Sequence, residues 1–177
     1  MTTARSIRNL ALIGFMGTGK SAVGRVLAEM LQFHFLDTDH LIEERAGTTV
    51  KDLFEQHGEP AFRDLERRLV EELAQATDTV IATGGGLPLN PVNLASLKSH
   101  ALVVCLWAPP ERILERVKTH NHRPLLNHPD PLSKIKELLA SRESCYRQAD
   151  VLINTEMRPL RDIATHILHE FQVARQG

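Results

Sequence analysis

A chain of 177 residues with 42% hydrophobic and 24% charged side chains has the ordinary composition of one globular domain, large enough to bury a core. Its 21 Lys and Arg against 22 Asp and Glu give a net charge of -1, so bulk electrostatics offers no case for nucleic acid or a membrane surface as partner. The longest strongly apolar run, ALVVCLW at 101–107, is too short to span a bilayer. The opening MTTARSIRN lacks the apolar centre of a secretory signal, and the two cysteines, Cys105 and Cys145, show neither metal-ligand spacing nor a disulfide framework. Cytoplasm is the expected compartment.

Along the chain, NLALIG (9–14) reads as a strand, followed after a glycine-rich turn by a helix, SAVGRVLAEML, with Val23, Val26, Leu27, Met30 and Leu31 on one face. HFLDTD (34–39) is the next strand, AFRDLERRLVEELA a helix, and TVIATGGG (79–86) a third strand. ALVVCLW (101–107) is the fourth, and PPERILERVK a helix opened by prolines. The segment THNHRPLLNHPDP (119–131), with three prolines and three histidines, is an irregular exposed loop of the length used for lids. A long helix, LSKIKELLASRESCYRQA, leads from it to a last strand, VLINT (151–155). Strands alternating with helices predict an α/β fold: a five-stranded parallel sheet between helices on both faces, three layers in all. No repeat or linker divides residues 1–177, so one domain is expected, with ligands beyond the carboxyl ends of the strands.

Gly14-Phe15-Met16-Gly17-Thr18-Gly19-Lys20-Ser21 fits G-x-x-x-x-G-K-[ST] between a strand and a helix. Glycines there let successive N–H groups face a polyphosphate at a helix N-terminus. Lys20 can reach the β- and γ-phosphates and the Ser21 hydroxyl can ligate Mg²⁺, so a nucleoside triphosphate is the expected ligand.

At the end of the second strand, Asp37-Thr38-Asp39 offers two carboxylates. One could hold a magnesium-bound water and the other accept the proton of an attacking hydroxyl. Asp39 also suits the N-cap of the helix HLIEERA, a role compatible with catalysis. Arg63 and Glu66, three apart on a helix, can pair; this leaves either a pre-aimed arginine for a carboxylate or phosphate, or one more solvated ion pair. Phe54 and Phe62 read as core residues. Gly84-Gly85-Gly86 suits a place where a ligand takes hydrogen bonds from main-chain N–H groups, or a plain turn. Arg123, in the lid sequence RPLL, reads either as a solvated loop arginine or, given the phosphate loop, as one that neutralises charge on a transferring phosphoryl group, with Arg116 before it and Arg142 in the helix behind.

Taken in order, GFMGTGKS, LDTD, FRDLE, TGGG, RPLL and RESCY resemble the shikimate kinase family over nearly the whole chain. The resemblance implies a P-loop fold of the nucleoside-monophosphate-kinase type. It implies transfer of the γ-phosphoryl group of ATP to the 3-hydroxyl of shikimate, with Mg²⁺, in chorismate and aromatic amino acid synthesis. On that basis Gly14, Gly17, Thr18, Gly19, Lys20, Ser21, Ala22, Arg116 and Arg123 would bind ATP, with Arg116 against the adenine. Ser21 and Asp37 would serve the metal, Asp37 through water. Asp39 would be the base; Lys20 and Arg123 would complete the catalytic set.

Arg63 and Arg142 would clamp the acceptor carboxylate, Glu66 orienting Arg63. Gly84, Gly85 and Gly86 would present N–H groups to the acceptor, and Phe54 and Phe62 would wall its ring. The acceptor segment would span about 38–66 and the lid about 119–131, in a monomer. A gluconate kinase on the same fold would share the phosphate loop but not the set of Arg63-Glu66, triple glycine and Arg142. A nucleotide-binding module without turnover would not need Lys20, Ser21, Asp39 and Arg123 together.

Two departures from the family pattern are visible. Leu87-Pro88 stands where smaller or β-branched residues are commoner, and should alter loop shape more than chemistry. His120, His122 and His128 make the lid rich in histidine; an H-x-H metal site and solvated loop residues are the two readings. Replacing Arg123 by Ala is expected to lower kcat at least ~10²-fold, by analogy with the ~10³–10⁵ ascribed to arginine fingers. Steady-state turnover at saturating substrates checks this, and undiminished kcat removes the lid from the mechanism.

Overall fold

Apolar runs of four to seven residues pair side by side: β1 (Asn9–Ile13), β2 (His34–Asp37), β3 (Thr79–Ala82), β4 (Ala101–Trp107) and β5 (Val151–Asn154). The computed structural model describes residues 5–118 and 128–176. Every strand pairing is parallel, in the order β2-β3-β1-β4-β5. The helices are α1 (Lys20–Leu31), α2 (Thr38–Ala46), α3 (Val50–Leu73), α4 (Pro91–His100), α5 (Pro110–Lys118), α6 (Pro131–Tyr146) and α7 (Leu160–Gln176). A single 3₁₀ turn covers Leu87–Leu89.

Strand periodicity explains the layers. In β1 the odd residues Ala11 and Ile13 join a core with Leu69, Leu97, Val103, Ile113 and Ile135, on the α3–α6 side. The even residues Leu10 and Leu12 join Leu27, Val104, Ile163, Ile167 and Phe171, on the α1 and α7 side. A strand covered on both faces has no polar face to give away, which is why β1 and β4 read as continuous apolar runs. The chain leaves β1 towards β2 and β3 on one flank and later fills β4 and β5 on the other. The carboxyl end of β1 is therefore the switch point where such sheets open a crevice.

The structure moves several sequence boundaries. The strands expected to run to 39 and 86 stop at Asp37 and Ala82. Asp37, not Asp39, is the N-cap of α2: its Oδ1 accepts from the N–H groups of Asp39 and His40 at 3.1 and 3.3 Å. Asp39 thus lies in the first helical turn rather than at a strand end. The three glycines have no side chains to pack in a sheet and form the turn out of β3. The helix seen from residue 61 is the second part of α3, which breaks at Gly58 (φ 78°, ψ 167°) two residues before Pro60. Helix α6 ends at Tyr146, short of the expected 149.

At the other end of the sheet, Asn9 is a fully buried polar hub. Its amide donates to the Ala76 carbonyl (2.7 Å) and meets His100 Nδ1 (2.9 Å), while its oxygen accepts from Thr79 N–H (3.0 Å). Burial, with Arg8 and Arg5 nearby, lowers the His100 pKa, so the ring is neutral and its Nδ1 can accept. Asn9→Leu strands all three partners in the interior and should cost about 2–4 kcal/mol. Urea unfolding measures it; a loss within experimental error would show the hub to be dispensable.

Candidate active site

The phosphate-loop sequence folds as its glycines require. Gly14, Gly17 and Gly19 have φ of 134°, 74° and 97°. A side chain at Gly14 would run into the Leu106 carbonyl oxygen, and one at Gly17 would lie 2.9 Å from Val117. The buried Thr18 hydroxyl donates to Phe15 O at 2.8 Å, tying the loop to itself. Helix α1 starts at Lys20 with Gly19 as its N-cap and no side-chain cap, leaving its first N–H groups to a ligand. Lys20 Nζ bridges the carbonyls of Gly14 (2.9 Å) and Phe15 (2.8 Å) at the loop rim.

Beside the loop, Ser21 Oγ donates to Asp37 Oδ2 at 2.6 Å. A hydroxyl and a carboxylate oxygen in contact form a hard oxygen donor set, the kind that suits Mg²⁺. Two residues on, Asp39 projects towards Gly84: a side chain there would collide with its carboxylate. Asp39 Oδ1 is buried without a hydrogen-bond partner among the described residues. Burial, reinforced by Asp37 and opposed by Lys20, pushes its pKa up to about 6. An acceptor-only atom held out of water next to a phosphate loop is placed to take a proton.

The glycine turn is pressed on by two arginines. A side chain at Gly86 would fall 2.5–2.8 Å from the Arg63 guanidinium, and one at Gly85 would be 3.7 Å from Arg142 Nη1. Arg63 pairs with Glu66 (2.7 Å) and with Glu59 (2.8 Å), and lies over the rings of Phe62 and Phe54 at 5.6 and 5.9 Å. Burial opposes the Arg63 charge, but the Glu66 and Glu59 contacts hold its pKa above the ordinary value. Glu66 is 1% exposed with Oε1 unpartnered among the described residues; burial raises its pKa and Arg63 pulls it back. The two phenylalanine rings stand 4.9 Å apart, Phe62 buried and Phe54 at the edge of the core. Arg142 stacks 5.3 Å from the Phe15 ring.

Of the three glycine N–H groups expected to face a ligand, that of Gly84 is taken by the buried Thr38 hydroxyl at 2.9 Å. Those of Gly85 and Gly86 have no partner among the described residues. Arg116 donates to Gly17 O (3.2 Å) and to the Thr155 hydroxyl (3.0 Å) and carbonyl (2.7 Å), joining the phosphate loop to the end of β5. A cleft of about 1180 Å³ runs through this ground, lined by Gly17, Lys20, Ser21, Ala22, Asp37, Asp39, Gly84, Gly85 and Arg116. Arg123, His120 and His122 lie outside the described residues. His128 Nδ1 accepts from the Asp130 N–H at 3.1 Å in the bend before α6.

Sequence reading missed Thr38, Glu59 and Tyr146. Glu59 was detectable, being four residues before Arg63 on the same helical face. Thr38 and Tyr146 gave no local signal, since their partners are 46 and 61 residues away.

The shikimate kinase family model matches residues 16–172. The chain belongs to the shikimate kinase family. It is 42% identical over 165 residues to the shikimate kinase of Caldanaerobacter subterraneus, covering 93% of this chain and 96% of that one. The shikimate kinase of Persephonella marina is 43% identical over 162 residues, covering 92% and 98%. A solved shikimate kinase from Acinetobacter baumannii, in complex with shikimate, superposes with a TM-score of 0.90 at 38% identity over 98% of this chain and 97% of that one. As a member of the family the chain is a kinase, a transferase on a P-loop α/β fold. A gluconokinase from Sinorhizobium meliloti, at 18% identity and a TM-score of 0.61, shares the fold.

The Asp39 carboxylate carries a stability consequence. Its folded pKa, about 6, lies above the ordinary 3.8, so the folded state binds the proton more tightly than the unfolded chain. That contribution is complete below about pH 4 and is lost as pH rises through 6. In metal-free protein, Asp39→Asn should therefore gain up to about 3 kcal/mol at pH 8, shrinking towards zero as pH falls from 6 to 4. Urea unfolding in EDTA across that range checks it. No gain at pH 8 would mean that the carboxylate carries no burial cost.

Proposed function

We propose that this chain transfers the γ-phosphoryl group of ATP to the 3-hydroxyl of shikimate, forming shikimate 3-phosphate for chorismate and aromatic amino acid synthesis. The observation that carries the reading is the buried oxygen of Asp39, without a partner among the described residues, between the Lys20–Ser21–Asp37 corner and the Arg63–Arg142 pair. A small hydroxylated ring acid needs one base, two cations for its carboxylate and an apolar wall. Asp39, Arg63 with Arg142, and Phe62 with Phe54 supply them.

In this reading the main-chain N–H groups from Gly14 to Ala22 cradle the phosphates, with Lys20 reaching the β- and γ-oxygens. Ser21, and Asp37 through water, would hold Mg²⁺, which when bound would offset phosphate charge. Arg63, fixed by Glu66 and Glu59, and Arg142 hold the acceptor carboxylate. Asp39 accepts the hydroxyl proton as that oxygen bonds to the γ-phosphorus and the bond to the β-bridging oxygen breaks, releasing ADP. Arg116 supports the adenine beside Thr155. Arg123, outside the described residues, is assigned to the lid of about 119–131, where closure excludes water. Residues 38–66 form the acceptor segment of a single domain. A monomer is proposed, and a diffusible acid substrate suits the cytoplasm. No helix among the described residues is long and apolar enough to cross a membrane.

Acceptor-dependent ADP release over a panel of hydroxy acids tests the proposal. Turnover of shikimate with little on gluconate is expected; gluconate turnover without shikimate turnover overturns it. Arg63→Ala should raise the shikimate KM about 10–100-fold while the ATP KM moves little, because a desolvated arginine–carboxylate contact is lost. Equal KM values for shikimate in the variant and the parent would remove Arg63 from the acceptor site.

A further inference from the structure

The turn after β3 has a complete hydrogen-bond account on its carbonyl side. Gly84 O accepts from Leu87 N–H (3.2 Å) and Gly86 O from Leu89 N–H (3.1 Å), closing the 3₁₀ turn. Leu87 O accepts from the Asn93 amide at 3.1 Å. The remaining two carbonyls are taken by α6: Tyr146 Oη donates to Gly85 O at 2.9 Å and Cys145 Sγ to Pro88 O at 2.9 Å. All five carbonyls from Gly84 to Pro88 are thus tied back to protein, whereas the N–H groups of Gly85 and Gly86 have no partner among the described residues.

A peptide unit is planar and trans, so its C=O and the next N–H point in opposite directions. Holding Gly85 O fixes the direction of Gly86 N–H. It also fixes the two α-carbons on which the arginines rest, Gly85 under Arg142 and Gly86 under Arg63. Arg142, Cys145 and Tyr146 are spaced i, i+3 and i+4, so one face of α6 carries an arginine of the clamp and both pins of the turn. Burial, opposed by the nearby Arg142 charge, pushes the Tyr146 hydroxyl pKa up to about 12, so it remains a donor.

We infer that Tyr146, assisted by Cys145, is a positioning residue for acceptor recognition: its bond to Gly85 O sets the Gly85–Gly86 peptide plane and the spacing of Arg63 from Arg142. This rests on the shikimate reading above. Tyr146 touches neither substrate; it acts through the glycine turn. A structural role alone would lower stability and impair both substrates alike, whereas this one separates them.

The test is Tyr146→Phe, which removes one oxygen from a side chain that is 7% exposed. With shikimate turnover of the parent enzyme established first, the variant should show a shikimate KM raised about tenfold, the worth of one hydrogen bond. Its ATP KM and kcat should stay within about twofold of the parent. In ligand-free protein the Gly85 and Gly86 amide NMR resonances should shift, a readout that does not depend on which acid is the acceptor. Failure of the parent to use shikimate overturns the functional reading. Unmoved glycine resonances, or an unchanged shikimate KM with an active parent, overturn the role of Tyr146. If Tyr146→Phe does not fold, Cys145→Ala replaces it: a two- to fivefold rise in shikimate KM supports the assignment and an unchanged value overturns it.

Discussion

The arrangement of this site depends on holding Asp39 ionisable inside a cleft with one oxygen unpartnered among the described residues. Water would satisfy that oxygen and return the carboxyl to its ordinary acidity; burial instead pushes it up to about 6. The surrounding residues follow from this demand. Asp37, two residues back, spends its own oxygens on capping α2 and on the Ser21 hydroxyl. Two carboxylates two residues apart thereby differ: both Asp37 oxygens accept hydrogen bonds, whereas Asp39 Oδ1 has no partner among the described residues. Lys20 provides the counter-charge that keeps the proton of Asp39 exchangeable.

The glycines serve close approach as much as flexibility. Gly84 admits the Asp39 carboxylate, Gly85 the Arg142 tip and Gly86 the Arg63 guanidinium. A methyl group at Gly84 or Gly86 would displace the charged group packed against it. The departure noted at Leu87-Pro88 is absorbed by packing: Leu87 is fully buried, Pro88 sits within the 3₁₀ turn, and the Pro88 carbonyl is held by Cys145.

Arg63 shows how a charged residue becomes specific. Exposed ion pairs contribute little because both partners keep their water and their freedom. Glu66 is almost wholly buried, so Arg63 cannot leave it without stranding a carboxylate, and the two phenylalanine rings limit its remaining motion. The guanidinium is thus ordered before any ligand arrives, which lowers the entropic cost of binding one.

The sequence alone established the alternation of strand and helix, the phosphate loop and the order of the short motifs, because these are local. Apolar period, glycine at positive φ and an i, i+3 pair are all readable over a few residues. It misplaced the ends of β2 and β3 and the cap of α2, and it ran α3 as one late helix. Those boundaries are settled by hydrogen bonds to particular atoms and by a break at Gly58 that apolar spacing does not register. What only the tertiary structure decided is which distant groups meet. The parallel register sets Asp37 beside Ala82 and Ala82 beside Leu12, and thereby brings residues 14–21, 37–39 and 84–86 to one edge of the sheet. Thr38 on Gly84 and Tyr146 on Gly85 are products of that convergence, since no spacing along a chain encodes a contact between residues 46 or 61 positions apart.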